Sequence, residues 1–406
     1  MSERDYRDGL LDGPGHRRGA GLNPGNRFEA VRLHVEGDAR DWRRDERVDE
    51  GGDPDTPLRV PLTVIPDATQ KVINRVSRTS DVPFDWTVNP YRGCEHGCIY
   101  CFARPYHEYL GYSCGLDFET KIVAKHAAAD LLKHELAKPS WRGEPIVMSA
   151  STDIYQPVEA RLGLARQCLE VMADCGQAVS TMTKGALVLR DVDLWQKLAA
   201  DNAGRVIVTL VTLDDELAKK LEPRAAAPSR RLHVIRELVK AGVPVSVNVA
   251  PVIPGLTDTE MPRLLEAVAD AGARRVAWVL LRLPYQVKDL FLDWLRRSVH
   301  PDRARKVESL IRQARGGKLY DAGAFRAKVD DDTSRMVATR EAGERRPGQP
   351  VGHDRRRGAG HHAAQLREVF DVYCRKYGLN RDVRPLNTRA FRRPNLHGQT
   401  GLFDAS

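Results

Sequence analysis

The body of the chain repeats one pattern, in which an amphipathic stretch ends at a glycine and a run of β-branched residues follows at once. Four segments have this form, with glycines at positions 176, 204, 242 and 272: CGQAVSTMTK, AGRVIVTLVT, AGVPVSVNVA and AGARRVAWVLL. Each glycine predicts the left-handed cap that ends a helix and turns the chain into the next strand. Spacings of 28, 38 and 30 residues between them fit successive strand–helix units.

Two more apolar segments, WTVNP at 86–90 and PIVMSA at 145–150, raise the number of predicted strands to six. Between strands, apolar residues recur at helical spacing in two stripes: Leu232, Ile235 and Val239, and Met261, Leu264, Leu265 and Val268. Strands this apolar are typical of a parallel sheet covered on both faces, either doubly wound or barrel-like. Because a cysteine-rich loop follows the first strand, where barrels place their chemistry, we predict an α/β fold, an open, partial (β/α)6 barrel.

Composition divides the chain into four parts. Residues 1–60 are rich in Asp, Arg and Gly without periodicity and are predicted to form a disordered polar extension. The (β/α)6 core is assigned to residues 61–325, a low-complexity linker to 326–362, and a C-terminal helix with its tail to 363–406.

Charge and hydropathy limit the class of protein. The amino terminus has no apolar h-region and no apolar run approaches a membrane span, which predicts a cytoplasmic protein without a membrane segment. In that compartment the seven cysteines stay reduced. A net charge of +9 fits a nucleic-acid-binding face, but arginines spread along the chain also fit an ordinary solvated surface.

Three of the seven cysteines, Cys94, Cys98 and Cys101, stand within eight residues of the segment NPYRGCEHGCIYCFAR. The spacing C-x3-C-x2-C is short enough for three thiolates to hold three corners of one [4Fe–4S] cube. Gly93 and Gly97 leave the backbone free to wrap such a cluster closely. A cube held by three cysteines keeps one iron without a protein ligand, and that iron is open to chemistry.

Two other interpretations of these cysteines compete. A zinc ion could take the three thiolates together with His96, His107 or Cys114, but structural zinc usually joins two knuckles from distant segments and the sequence has no second knuckle. The three thiols could also be buried without any ligand, although charged Glu95 and His96 stand between them.

The remaining cysteines are predicted to have structural positions. Cys168 and Cys175 share the apolar face of one helix, and Cys374 lies in the amphipathic stretch LREVFDVYCRKYG, so all three are assigned to the core. Cys114, in a loop 13 residues after the third clustered cysteine, could be reactive or merely buried.

The arrangement C-x3-C-x-aromatic-C after the first strand of a six-fold repeat resembles the radical S-adenosylmethionine (SAM) superfamily. Further segments resemble its spore photoproduct lyase-like branch, which includes DNA repair photolyase-like proteins of actinobacterial type: STDIYQPVE (151–159), TMTKG (181–185), LEPRAAAPSRR (221–231) and NVAPVIPGLTD (248–258). The resemblance covers about residues 65–325 and is more specific for the superfamily than for the substrate.

The resemblance implies a [4Fe–4S] cluster on Cys94, Cys98 and Cys101, with SAM chelating the open iron. It also implies a set of SAM-binding positions: Tyr100, Thr152, Asp153, Lys184, Thr209 and Asn248. Tyr100 matches the aromatic position at the adenine, Thr152 and Asp153 match a Ser-Asp pair beside SAM, and Lys184 matches a lysine near the SAM carboxylate.

Each of these positions also has a structural explanation. Tyr100 could simply pack against the cluster, and Asp153 could cap the helix that is predicted to begin near Pro157. Thr209 and Asn248, the weaker candidates for ribose or carboxylate contacts, could be half-buried strand residues whose partners lie in the core.

The resemblance further implies the chemistry. A reduced cluster, supplied by an electron donor, cleaves SAM to a 5′-deoxyadenosyl radical that abstracts hydrogen from a substrate, here predicted to be nucleic acid in a DNA repair-like lyase reaction. The lyases carry a hydrogen-returning cysteine where this chain has Ala150, so we expect a related reaction on a different substrate; Cys114 or a tyrosine could replace that cysteine. The alternatives are a radical SAM enzyme acting on a protein or small molecule, and a non-catalytic Fe–S adaptor that binds nucleic acid.

The C-terminal tail contains QTGLF at 399–403, which resembles the Q-x-x-L-F peptide that bacterial DNA polymerases and repair proteins insert into the sliding clamp. Leu402 and Phe403 would be the apolar anchors and Gln399 the polar contact. So short a motif also occurs by chance. It predicts the sliding clamp as a partner.

Overall fold

The computed structural model describes residues 18–28, 61–77, 82–319, 357–358, 360–382 and 384–396. The clamp-like segment QTGLF lies outside these ranges, as do most of the N-terminal extension and of the 326–362 linker.

Ten strands form two sheets within the described residues: β1 (Thr63–Pro66), β2 (Ile73–Arg75), β3 (Trp86–Val88), β4 (Tyr91–Arg92), β5 (Lys121–Ala124), β6 (Ile146–Met148), β7 (Val179–Thr183), β8 (Gly204–Leu210), β9 (Val245–Val252) and β10 (Arg275–Leu280). The six predicted strands are β3 and β6 to β10. The pairings among these six strands are all parallel and follow the order of the chain. Among the described strands β3 and β10 do not pair, so the sheet is open and the predicted partial (β/α)6 barrel is confirmed.

The sequence pattern did not predict the other four strands. β2 pairs antiparallel with β3 and extends the large sheet by one strand. The second sheet has the order β1-β5-β4, in which β4 and β5 are antiparallel. Since β4 ends at Arg92 and β5 begins at Lys121, their pairing closes the base of the cysteine loop, by which we mean residues 93–120.

In the described ranges, helices pack against the large sheet and share its apolar core. The α-helices are Asp117–Thr120, Ala128–Ala137, Glu159–Leu162, Leu164–Asp174, Val192–Ala200, Asp215–Leu221, Pro228–Lys240, Met261–Asp270, Val287–Ser298, Pro301–Ala314 and Gly360–Lys376. The 3-10 helices of the described residues span Arg104–Leu110, Ala186–Asp191 and Asp258–Glu260.

The burial predicted for the two apolar helical stripes is confirmed for one of them and only in part for the other. All four predicted residues of helix Met261–Asp270 are completely buried: Met261, Leu264, Leu265 and Val268. In helix Pro228–Lys240, Ile235 is buried as predicted, but Val239 is 36% exposed. The face that meets the sheet instead contains Val234 and Leu238, because a helix advances by 100° per residue and Val239 has turned past the contact. The core assignments of Cys168, Cys175 and Cys374 are confirmed, with exposures of 0, 4 and 7%.

Residues 18–28, which we call the N-terminal strap, are packed, although the sequence predicted disorder for residues 1–60. The backbone N–H groups of Gly19 and Ala20 donate to the Glu119 carboxylate at 2.9 and 2.8 Å. Asn23 Nδ2 donates to Asp117 Oδ1 at 3.2 Å. The contact is close, because a Cβ on Gly19 would lie 1.8 Å from the Gly97 carbonyl oxygen. Hydrogen bonds to buried groups therefore order a segment that has no apolar pattern.

The C-terminal segment returns to the barrel. In helix Gly360–Lys376, Phe370 lies 6.2 Å from the Trp278 ring of β10, centroid to centroid. Residues 377–382 and 384–396 then lie along the edge where the strands begin, since Asn380 Nδ2 donates to the Val276 carbonyl at 2.9 Å and the Arg392 N–H to the Cys175 carbonyl at 2.7 Å. The opposite edge, where the strands end, is left to the loops that carry the predicted site.

No helix in the described ranges is long and apolar enough to cross a membrane.

Candidate active site at the carboxyl edge of the sheet

The three clustered cysteines lie in the first part of the cysteine loop and none forms a disulfide. Cys94 and Cys98 are 8 and 7% exposed, and Cys101 is half-buried. The loop turns sharply between them because Gly93 and Gly97 adopt φ of +81° and +67°, a region that favours glycine. The local fold thus brings three soft sulfur ligands together at the edge where the parallel strands end.

The environment of these thiols suits a metal cluster. Burial raises the pKa of Cys98 to about 12, which nearby Lys184 opposes only in part. Burial raises the pKa of Cys94 as well, and the other two thiols and Asp153 add to that rise. Because thiols in such surroundings do not ionise alone at neutral pH, their thiolates need the positive charge of bound iron. The donor set therefore fits a [4Fe–4S] cluster bound by Cys94, Cys98 and Cys101.

The zinc alternative receives less support. Two of the proposed fourth ligands have other partners, since His96 Nδ1 lies 3.2 Å from Asp153 Oδ2 and Cys114 Sγ donates to Gln286 Oε1 at 3.4 Å. The third, His107, is buried between the rings of Tyr112 and Phe118.

Gln156 fastens the cysteine loop to the sheet, a role that the sequence did not reveal. Its side chain is completely buried. Its Oε1 accepts the N–H of Glu95 at 2.9 Å, and its Nε2 donates to the Gly93 carbonyl at 3.3 Å and to Thr152 Oγ1 at 3.2 Å. Thr152 thus lies next to the cysteine loop, where its hydroxyl accepts a hydrogen bond from Gln156.

Asp153 joins three segments of the site. Its carboxylate accepts the Lys184 N–H at 2.7 Å and the Thr183 hydroxyl at 2.8 Å, both at the end of β7. It also accepts the Tyr155 N–H at 2.9 Å and faces His96 of the cysteine loop. Burial alone would raise the pKa of Asp153, but His96 and these donors hold it below its usual range. Asp153 is therefore an anion that positions the cysteine loop, and it does not cap the helix near Pro157.

Tyr100 and Lys184 meet at a buried carboxylate that the sequence did not single out. The Tyr100 hydroxyl donates to Glu222, Arg231 forms an ion pair with the same carboxylate, and Lys184 Nζ lies 3.9 Å from Glu222 Oε1. Burial would raise the pKa of Glu222, but Arg231 and Lys184 hold it below its usual value. Lys184 Nζ also lies 5.9 Å from the centre of the Tyr100 ring. The structure thus brings two predicted SAM-binding residues together.

Thr209 and Asn248 are neighbours across β8 and β9, where they are partners in the parallel register. Thr209 is 6% exposed, and Asn248 is half-buried with its Nδ2 3.5 Å from Met182 Sδ of β7. The three side chains therefore line the same inner face of the open barrel.

Arg104 and Glu119 form a completely buried ion pair beneath the cysteines, with Nη2 and Oε1 2.5 Å apart. The same guanidinium donates to four backbone carbonyls of the cysteine loop: Gly97, Cys98, Cys114 and Gly115, at 2.8 to 3.2 Å. Glu119 in turn accepts the two N–H groups of the N-terminal strap. One buried pair therefore holds the strap and both halves of the loop.

Ala150, where the lyases have a cysteine, follows β6 and is half-buried. The preceding residue, Ser149, has φ of +72°, a strained conformation for a residue other than glycine, and its hydroxyl donates to the Met182 carbonyl at 2.5 Å. Cys114 is completely buried, and its thiol contacts Gln286 of the loop that follows β10. Cys114 therefore lies in a different part of the site from Ala150.

Comparison with known proteins agrees with this geometry. Residues 88–268 match the radical SAM superfamily, a range that contains all of the predicted cluster and SAM positions. The uncharacterized protein Rv2578c of Mycobacterium tuberculosis is 37% identical over 284 residues, which cover 69% of this chain and 82% of the relative. The chain belongs to the radical SAM superfamily. The protein is therefore a radical SAM enzyme, and its cofactors are a [4Fe–4S] cluster and SAM.

Other proteins similar to this radical SAM enzyme include a phage protein and a spore photoproduct lyase. A Pseudomonas phage M6 protein named radical SAM Nalpha-GlyT isomerase is 24% identical over 231 residues, 56% of this chain and 46% of the relative. A solved structure of a spore photoproduct lyase mutant has a TM-score of 0.49 and 14% identity, and the match covers 86% of both chains.

Proposed function

We propose that this radical SAM enzyme acts on nucleic acid, in a DNA repair-like lyase reaction that begins with removal of a hydrogen atom from a nucleotide. The observation that carries the proposal is the arrangement of three clustered thiols, two buried and one half-buried, and a set of polar side chains at one edge of an open barrel. When bound, the cluster and SAM supply a 5′-deoxyadenosyl radical. The protein must then hold both cofactors and the substrate in a fixed geometry.

The side chains of the site divide this task. Lys184 supplies a cation for a carboxylate, and Tyr100, fixed by Glu222, supplies a flat ring for an adenine. Thr209 and Asn248 offer hydrogen-bonding groups on the inner face of the barrel. Asp153 and Gln156 do not need to touch SAM, because they already hold the cysteine loop against the ends of β6 and β7. These roles in SAM binding are part of the proposal.

Three features support nucleic acid as the substrate. The net charge is +9, and residues 377–396 contain five arginines and one aspartate. All five arginines are exposed: Arg381, Arg384, Arg389, Arg392 and Arg393. Such charge attracts a polyanion without sequence preference. Because these arginines lie at the edge where the strands begin, they would hold nucleic acid that flanks the reacting nucleotide and not that nucleotide itself. The sequence motifs resemble those of the spore photoproduct lyase-like branch. In addition, one relative, a phage protein, is named radical SAM Nalpha-GlyT isomerase. Because Ala150 replaces the lyase cysteine, we expect the reaction to differ from that of the lyases.

The test is SAM cleavage by the reconstituted enzyme. Anaerobically purified protein with a reduced cluster should release 5′-deoxyadenosine, and damaged or modified oligonucleotides should increase the rate several-fold over buffer. Because phosphate contacts release counterions, the increase should weaken as salt rises. Stimulation by peptides or metabolites but not by oligonucleotides would contradict the nucleic-acid substrate and leave the radical chemistry in place. Absence of 5′-deoxyadenosine under all conditions would instead favour the non-catalytic adaptor.

Partners and location extend the proposal. We infer a one-electron donor, a cytoplasmic location and docking of Gln399, Leu402 and Phe403 on the sliding clamp, although these three residues lie outside the described ranges. Deleting residues 399–403 from the full chain should abolish its capture by an immobilised clamp. Equal capture of the shortened chain would rule out the tail as the docking peptide.

A further inference from the structure

Three exposed aromatic rings from distant parts of the chain meet around one arginine. Phe28 of the N-terminal strap is 56% exposed, Tyr109 of the cysteine loop 66%, and Tyr285, which follows β10, 46%. The Phe28 and Tyr109 rings lie 5.0 Å apart. The Arg27 guanidinium carbon is 4.2 Å from the centre of Tyr285, 4.6 Å from Phe28 and 5.4 Å from Tyr109. We call Phe28, Tyr109 and Tyr285 around Arg27 the aromatic cluster.

The aromatic cluster lies beside the active site. Tyr285 follows β10, and parallel strands all end at the edge that carries the cysteines. Next to it, Gln286 Nε2 donates to the Gly25 carbonyl of the strap at 2.9 Å, and Cys114 of the cysteine loop donates to Gln286 Oε1. The cluster therefore bridges the open side of the barrel, between β10 and the loop that follows β3.

Two observations distinguish the aromatic cluster from a contact that only fastens the strap. A fastening contact would bury its rings, yet each ring keeps between 46 and 66% of its surface in solvent. Tyr285 also has φ of +50°, which is unfavourable for a tyrosine and is maintained by its surroundings. Strain of this kind is concentrated at binding sites. Tyr106, 56% exposed and three residues before Tyr109 on the same 3-10 helix, extends the row of rings.

We propose that the aromatic cluster is a stacking platform for an unpaired base of single-stranded nucleic acid, adjacent to the nucleotide that enters the active site. This inference rests on the proposed function. Flat aromatic and guanidinium faces are the surfaces on which proteins stack unpaired bases. Arg27 forms an ion pair with buried Glu108 at 2.8 Å. The aromatic cluster therefore offers a ligand mainly flat ring surface and little unpaired positive charge. The net charge of +9 makes the polyanion a better occupant than a peptide.

The test compares the Phe28→Ala and Tyr109→Ala variants of the full iron-loaded enzyme with the wild type. A fluorescently labelled single-stranded oligonucleotide and its counterpart with abasic sites are titrated at several salt concentrations. Stacking predicts that each variant binds the complete oligonucleotide about 5- to 100-fold more weakly. The variants should bind the abasic oligonucleotide as the wild type does, with an unchanged salt slope. Val372→Ala, at a residue 43% exposed on helix Gly360–Lys376, is the control and should change nothing.

Each contrary outcome has a distinct meaning. Wild-type affinity of both variants, with oligonucleotide-stimulated SAM cleavage intact, would overturn the stacking platform and leave the proposed function standing. An equal loss on complete and abasic strands would show that the rings do not stack on bases, and competition by peptides alone would assign the surface to a protein partner. If the wild-type enzyme neither binds oligonucleotides nor is stimulated by them, the nucleic-acid substrate itself is wrong.

Discussion

Replacing Cys98 with serine should leave a folded protein that retains little iron and releases no detectable 5′-deoxyadenosine. Two thiolates cannot hold three corners of a cube, and a serine hydroxyl is a poor ligand for iron at neutral pH. We expect activity to fall by more than about 100-fold, since removal of groups that only support metal ligands already costs about 10- to 100-fold. Iron and sulfide content per chain, with electron paramagnetic resonance of the reduced protein, measures the effect.

Two matched variants separate cluster ligation from loss of a thiol in general. Cys374→Ala removes a buried thiol from helix Gly360–Lys376, far along the chain from the loop, and should keep full iron content. Cys114→Ala removes the thiol that bonds to Gln286 and should also keep its iron. If Cys114→Ala loses iron as completely as Cys98→Ser, Cys114 is a fourth ligand and no iron is open to SAM. Normal iron content in Cys98→Ser would contradict the assigned ligand set.

The large sheet could be predicted because its strands carry their own signal. Strands such as β8 and β9 contain buried and half-buried residues and no exposed one, so their β-branched runs are long enough to recognise. A glycine also marks where most of the preceding helices end. The small sheet gave no such signal. β4 has two residues and β1 four, with the latter half exposed, so neither periodicity nor composition distinguishes them from loops.

The active site could be predicted only where its chemistry is local in sequence. The spacing of Cys94, Cys98 and Cys101 is visible in a single window, whereas Gln156 acts on Glu95, 61 residues away. Glu119 receives the N-terminal strap across about 100 residues. A charged or amide residue does not show in the sequence whether it will be buried, because that depends on which distant donors the fold brings to it. The strap was predicted as disordered for the same reason: the backbone donors of Gly19 and Ala20 bond to Glu119, and the few apolar side chains that pack there, such as Ala20 and Leu22, form no periodic pattern.

The buried pair of Arg104 and Glu119 should have the largest effect on stability. Arg104→Met leaves the Glu119 carboxylate buried without its cation and four carbonyls of the cysteine loop without their side-chain donor. Removing one partner of a buried ion pair typically costs about 3–5 kcal/mol. We therefore expect the free energy of unfolding of the iron-loaded protein to fall by about this amount in denaturant titrations under anaerobic conditions. Iron should also be lost at lower denaturant concentration, since the same residue supports the loop of the cysteines.

A double-mutant cycle shows whether the lost free energy of unfolding comes from the interaction between Arg104 and Glu119. The Arg104→Met/Glu119→Leu variant no longer buries an unpaired charge, so it should be less destabilised than the sum of the two single variants. Arg312→Met breaks the exposed pair with Glu308, 2.7 Å apart on one helix, and should cost less than about 0.5 kcal/mol. If Arg104→Met costs no more than Arg312→Met, the pair does not hold the loop in place. In that case the hydrogen bonds of Gln156 and Asp153 must maintain the geometry of the cysteines on their own.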